Sequence, residues 1–173
     1  MRDFTIRIAE PSDIGSVHSI MTTARSSMKE PELYVPDTPE FISRHIQDCG
    51  FTLLALYGTL PAGFLIVRIP GEERDNLGYD LGFSKQELSL AAHMESAAVL
   101  PEYQGNRLQR RLISSAEAIL SSRGYQYALA TVSPKNFYSL RNMLACGYRI
   151  AKTTTKYGGL ERHILLKSLG KTA

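Results

Sequence analysis

Val99-Leu100-Pro101-Glu102-Tyr103-Gln104-Gly105-Asn106-Arg107-Leu108-Gln109 joins an apolar strand to an amphipathic helix through a turn suited to holding an anion. Leu90 to Leu100 is rich in apolar residues, and Pro101 cannot donate to a sheet ladder. Leu108, Leu112, Ala116, Ile119 and Leu120 then repeat at helical spacing until Gly124 closes the helix. The first turn of such a helix points unpaired N–H groups outward at the positive end of its dipole, and Gly105 lets the backbone come close to a guest. Arg107, Arg110 and Arg111 add positive charge, so a pyrophosphate is the expected occupant. On the strand before the turn, His93, Glu95, Ala97 and Val99 alternate onto one face. That sets a His beside a Glu, two side chains able to take up a proton.

These residues need a framework of strands and helices. Phe4, Ile6 and Ile8 alternate with polar neighbours and predict a first strand, and Ile14, Val17, Ile20, Met21 and Ala24 predict a helix. Ser26 to Asp37 has no clear period. Thr38-Pro39-Glu40 starts a second helix, with Thr38 as cap and Pro39 in the first position, ending near Gly50. Phe51 to Tyr57 and Gly63 to Ile69 form a hairpin about a turn at Gly58 to Ala62, and a long loop runs from Pro70 to about Glu87. After the motif helix come a strand at Gln126 to Val132, a helix from Ser133-Pro134 toward Cys146, and strands at Tyr148 to Thr154 and Leu160 to Lys167 around Gly158-Gly159.

The segment from Val99 resembles motif A of the GNAT acyltransferase superfamily, in which a V-x-P-x-Y strand end leads into Q/R-x-x-G-x-G/A. Gln104 fits that pattern, whereas Arg107 stands at the first motif glycine and Gln109 at the second. Asn136, the small Ser139 and Gly147-Tyr148 are similar to the family's N-x-x-A…G-F/Y signature. The order of elements also matches along the whole chain. The resemblance implies an α/β (α+β) GNAT fold, a central mixed and mostly antiparallel sheet flanked by helices, forming a single domain over 1–173. It further implies acetyl-CoA as co-substrate, with its pyrophosphate on Gln104, Gly105, Asn106, Arg107, Leu108 and Gln109. Val99 or Leu100 would supply the main-chain oxyanion donor, and Asn136 and Ser139 would meet the pantetheine or nucleotide end.

The implied reaction is direct attack of a primary amine, on a small molecule or peptide, on the thioester. Glu95 or His93 would act as base through water, Glu95 being preferred because a carboxylate buried among apolar neighbours is raised toward neutral pH. The tyrosine that protonates the leaving thiolate in many family members is replaced by Met143, and neither Tyr138 nor Tyr148 is placed to inherit the role. Tyr34 and Tyr79 are expected to pack on the acceptor's carbon skeleton, with Glu30, Glu32, Glu72, Glu73, Asp75 and Asp80 attracting a cationic amine. The alternative is a GNAT-like protein that binds CoA without turnover. A Rossmann or P-loop protein is disfavoured, since neither G-x-G-x-x-G nor G-x-x-x-x-G-K-[ST] follows a strand.

At 173 residues and 43% hydrophobic composition the chain suits one core of ordinary size. The charge of +3 is scattered, which argues against a nucleic acid partner. Met1 to Glu10 reads as a strand and not as a signal peptide or membrane span, giving a cytoplasmic expectation without membrane contact. Cys49 and Cys146 lack partners at metal spacing, so buried free thiols and no metal are expected. A homodimer is compatible with the sequence.

Overall fold

The structure, a computed structural model, describes residues 3–31 and 34–170. Glu32, one of the acidic residues expected near the acceptor, lies outside the described residues. In chain order the elements are β1 (Thr5–Ile8), α1 (Ile14–Ser26), α2 (Pro39–Gln47), β2 (Gly50–Tyr57), β3 (Leu60–Arg68), α3 (Lys85–Ser89), β4 (Ala91–Val99), α4 (Leu108–Ser122), β5 (Tyr127–Val132), α5 (Phe137–Ala145), β6 (Arg149–Lys156) and β7 (Leu160–Ser168). The strands are ordered β1-β2-β3-β4-β5-β7-β6. β1/β2, β2/β3, β5/β7 and β6/β7 pair antiparallel and β4/β5 parallel, which gives the expected mixed sheet. The chain divides into two compact units, Met1–Arg68 with Ser96–Ala116, and Ile69–Glu95 with Glu117–Ala173.

In the first unit, α1 buries Val17, Ile20 and Met21, and α2 buries Ile42, against Leu54, Phe64 and Ile66 of the hairpin. The start of α2 follows from its sequence: Thr38 accepts a hydrogen bond from the Phe41 N–H at 3.2 Å, and Pro39 occupies the position where a missing N–H costs nothing. The helix stops at Gln47, and Gly50 already belongs to β2. The hairpin turn is tighter than expected, with Leu60 paired to Tyr57 and a bulge between Ala55 and Leu56 absorbing the register. A Cβ at Gly63 would stand 2.9 Å from the Ala98 carbonyl oxygen, so the end of β4 passes β3 at a distance only glycine permits.

The second unit has its own core of Leu77, Ala91, Leu129, Ile164 and Leu166. The segment expected as one long loop from Pro70 to Glu87 is partly ordered into helix. A 3-10 turn spans Leu77–Leu81, and Ser84 and Glu87 cap α3 reciprocally. The helix expected from Ser133-Pro134 begins later. Ser133 forms a turn with the N–H groups of Lys135 and Asn136, and the cap is Asn136, whose Oδ1 accepts from the Ser139 N–H at 3.1 Å. Both cysteines are free and half-buried, a correction to the buried thiols expected from their place beside glycines.

Candidate active site

The motif turn lies in the first unit. After β4 comes a short 3-10 turn at Pro101–Tyr103, whose Tyr103 packs edge-on against Phe4 at 5.8 Å. Gly105 then takes φ 81° and Arg107 φ 56° before α4 begins. The left-handed region is open to glycine and costs any other residue about 1 kcal/mol. Space around the ideal Cβ of Gly105 is empty to 4 Å, so backbone conformation and not crowding selects glycine there. Arg107 sits one residue before α4, and its carbonyl accepts the first helical bond from Arg111 N–H at 3.1 Å. Its side chain carries donors only, so it cannot cap the first-turn amides as Ser or Asp would.

An open depression of about 370 Å³ on this helix is lined by Arg107, Arg110, Arg111, Ser114 and Ser115. The serines were not singled out in the sequence; their spacing from the arginines along one helix face was the available signal. Arg111 is also a structural residue, since its guanidinium donates to the Phe4 carbonyl at 2.7 Å. Gln104 Nε2 donates weakly to the Val99 carbonyl at 3.4 Å, and Asn106 Nδ2 ties the turn to the Tyr103 carbonyl at 3.0 Å. Leu108 is buried as the first core residue of α4, and Gln109 is half-buried beside it.

The main-chain donor can be narrowed. Leu100 N–H is committed to the Ala62 carbonyl at 2.9 Å, which removes it as a free oxyanion donor. Adjacent N–H groups of an extended chain point to opposite edges, so that of Val99 points away from β3. Tyr34, expected to face the acceptor, instead packs partly against the first unit's core, and its hydroxyl shares a 3.1 Å hydrogen bond with Ser96 Oγ. Burial pushes its phenol well above the usual range, so it stays protonated.

In the second unit His93 and Glu95 do share a face of β4, as the alternation predicts. His93 is 3% exposed, and its Nε2 accepts the Leu77 N–H at 3.2 Å. The same Nε2 lies 3.3 Å from Asn76 Oδ1, and Nδ1 is 3.6 Å from Glu95 Oε2. His93 is therefore held in the wall with its Nε2 engaged by the Leu77–Asn76 segment and its Nδ1 facing Glu95. Glu95 is not buried among apolar groups as expected; a quarter of its side chain is accessible. Asn136 and Ser139 form the cap of α5 described above. Tyr79 lies in the 3-10 turn, nearly half exposed, with its hydroxyl donating to the Glu72 carbonyl at 3.1 Å. The Met143 side chain is buried, so nothing at that position can donate a proton.

Two of the acidic residues of the 70–87 segment are paired with lysines. Asp80 pairs with Lys156, and Glu72 lies 3.2 Å from Lys85. Among the described residues no group of three or more His, Cys, Asp or Glu side chains is placed to hold a metal ion, and no helix is long and apolar enough to cross a membrane.

A family model described as the acetyltransferase (GNAT) family matches residues 17–148. The chain belongs to the acetyltransferase (GNAT) family. The match covers both motif stretches, Gln104 to Gln109 and Asn136 to Tyr148. Among solved structures, the ribosomal-protein-S18-alanine N-acetyltransferase of Escherichia coli superposes with a TM-score of 0.75 at 16% identity, covering 99% of this chain and 97% of that one. A GNAT superfamily phosphinothricin acetyltransferase of Sinorhizobium meliloti, solved in complex with AcCoA, gives 0.72 at 17% identity, covering 99% and 91%. At such identities the likeness concerns the GNAT fold. No curated protein matches the sequence.

Proposed function

We propose that this GNAT protein transfers the acetyl group of acetyl-CoA to a primary amine of a small molecule or peptide, by direct attack of the amine on the thioester. The observation that carries the reading is the turn before α4, where Gly105 and Arg107 both stand in the left-handed region and the residue before the helix cannot cap it. That turn fits a pyrophosphate. Backbone N–H groups of Gly105 to Gln109 would hold it, Gln104 and Asn106 shape the turn, and Arg107 adds the charge that a glycine would not.

Acetyl-CoA supplies an activated acyl group on a thiol whose ordinary pKa of ~8.5 makes it a tolerable leaving group without a dedicated acid. Glu95 takes the ammonium proton through water, and His93 fixes the Glu95 carboxylate from behind. Val99 N–H donates to the developing oxyanion or the pantetheine, and the amide Nδ2 of Asn136, beside Ser139, donates to the pantetheine or nucleotide end. The two units are read as one domain over 1–173, acting in the cytoplasm on an amine acceptor, with no nucleic acid, membrane or metal involved and a homodimer as the assembly to look for.

Acetyl-CoA at a hundredfold excess over its dissociation constant should stabilise the fold by about 2.7 kcal/mol, raising the melting temperature by several degrees. An unchanged melting temperature in millimolar acetyl-CoA removes the reading. The buried Met143 favours a second one, CoA binding without turnover. Thiol release with a panel of primary amines separates the two: acceleration by any amine supports the transferase, and binding with no acceleration supports the second.

A further inference from the structure

The face of the second unit that carries Glu95 is basic where the acceptor's charges were expected to be met by acid. The parallel pairing of β4 with β5 ends at His93↔Leu129, and the alternation of each strand carries Glu95 and Thr131 onto the face of that pair. Thr131 pairs with Ile164 of β7, which pairs with Lys152 of β6, and directly opposed residues share a face. One step of two residues along each strand, the same face carries Arg162 opposite Thr154, and then Lys156. Arg162, Lys152 and Lys156 therefore stand on this face with Glu95, with Asp80 of the 3-10 turn against the lysines and Arg149 farther along, opposite Leu166.

The cations are not equivalent. Lys152 Nζ donates to the Asp80 carbonyl at 3.0 Å, and Lys156 is paired with the Asp80 carboxylate, so both help to pin the 3-10 turn to the sheet. Arg162 is different. Its guanidinium carbon lies 6.0 Å from the centre of the Tyr157 ring and the group donates one bond to the neighbouring Glu161 carbonyl at 3.0 Å, and among the described residues it has no carboxylate partner. Tyr157, at φ 52°, shares a 3.0 Å hydrogen bond between its hydroxyl and Thr131 Oγ1. Thr131 thus connects the Arg162–Tyr157 pair to the line of Glu95. A guanidinium is a planar fork of N–H donors, and one without a carboxylate partner is able to recognise a carboxylate with two parallel hydrogen bonds.

We propose that the acceptor is an amine that also carries a carboxylate, with the amine at Glu95 and the carboxylate on Arg162, held open by Tyr157 and Thr131. The proposal rests on the acetyltransferase reading above and names its substrate class. β5 alone stands between β4 and β7 in the sheet, which suits a short acceptor such as an amino acid or a small peptide with a free C-terminus.

The test uses the full-length protein and matched acceptor pairs, free amino acids and dipeptides against their carboxamides, with acetyl-CoA turnover read as thiol release. The free acids should be preferred by tenfold or more in kcat/KM. Arg162→Gln should raise KM for the best acid at least tenfold, with little change in kcat or in KM for acetyl-CoA, and should leave the carboxamide's kinetics unchanged. Arg162→Lys should restore part of the loss. Equal rates for acid and carboxamide, turnover of neither series, or a loss in Arg162→Gln that is the same for both members of a pair would each overturn the proposal. Calorimetric titration with acetyl-CoA alone reports on the underlying reading independently: normal binding with no acid preference rejects only the acceptor class, whereas absent binding rejects the acetyltransferase reading itself.

Discussion

Arg107 and Tyr157 are the non-glycine residues that stand in the left-handed region among the described residues, at φ 56° and 52°, one in each compact unit. Their backbones carry a similar cost and their side chains do not. Tyr157 is held by a hydroxyl bond to Thr131 and by the Arg162 cation over its ring, contacts that together offset the strain. Arg107 is exposed, and among the described residues its guanidinium has no hydrogen-bond or ion-pair partner. Strain offset inside the chain marks a built wall. Strain with no internal offset supports the proposal that a ligand supplies the compensation at this turn, which is the one proposed for the pyrophosphate.

The largest expected effect falls on neither residue but on Glu95, the base proposed in the second unit. Glu95→Gln should lower turnover by roughly a hundredfold or more and flatten the rising limb of the pH–rate profile. His93→Gln should cost much less, since the ring acts through Glu95; the reverse order would move the proton acceptor to His93.

Next comes the turn itself. Gly105→Val places a branched side chain at φ 81°, so acetyl-CoA affinity should fall at least tenfold while the circular dichroism spectrum stays native. Wild-type affinity in a folded variant would detach the turn from phosphate binding.

The paired substitution to glycine tests the contrast directly. Arg107→Gly relieves the strain at the cost of a more flexible unfolded chain, so stability should be unchanged or rise by up to about 1 kcal/mol, while acetyl-CoA affinity falls several-fold with the lost charge. Tyr157→Gly gives up two contacts for the same relief, and stability should fall by about 1 kcal/mol with acetyl-CoA affinity intact. Equal stability changes in denaturant titrations would mean that the two residues are not held differently. Asn136→Ala should likewise cost about 1 kcal/mol through the lost cap of α5, read by the same titration, together with a modest loss of acetyl-CoA affinity.

Local chemistry made much of this molecule readable from its residues. Thr38-Pro39 set the start of α2 through one side-chain bond, and the alternation of His93 and Glu95 placed both on one face of β4. The order of strands and helices, together with the motif around Gln104, pointed to the fold. Three things escaped. The 3-10 turn at Leu77–Leu81 carries local signals that a reading of one long loop passes over, Asn76 capping the Gly78 N–H and Gly82 at φ 73°, and is further held by Leu77 N–H on buried His93, sixteen residues away. The start of α5 went to Ser133-Pro134 because both are good starting residues, yet the bond that forms is Asn136 to Ser139. The Thr131–Tyr157–Arg162 cluster depends on β7 lying between β5 and β6, so its members meet only once the strand order is known. Asp80 looked free to attract an amine for the same reason, its lysine partners being on β6.

The central claim, that the turn before α4 receives the pyrophosphate of acetyl-CoA, is tested most directly by amide NMR of the labelled protein during a titration. Addition of acetyl-CoA should shift the backbone amides of Gly105 to Gln109 most strongly, with Val99 N–H moving as well and Leu100 N–H, already bonded to Ala62, moving least of this stretch. Saturable binding that leaves the Gly105 to Gln109 amides in place would contradict the account.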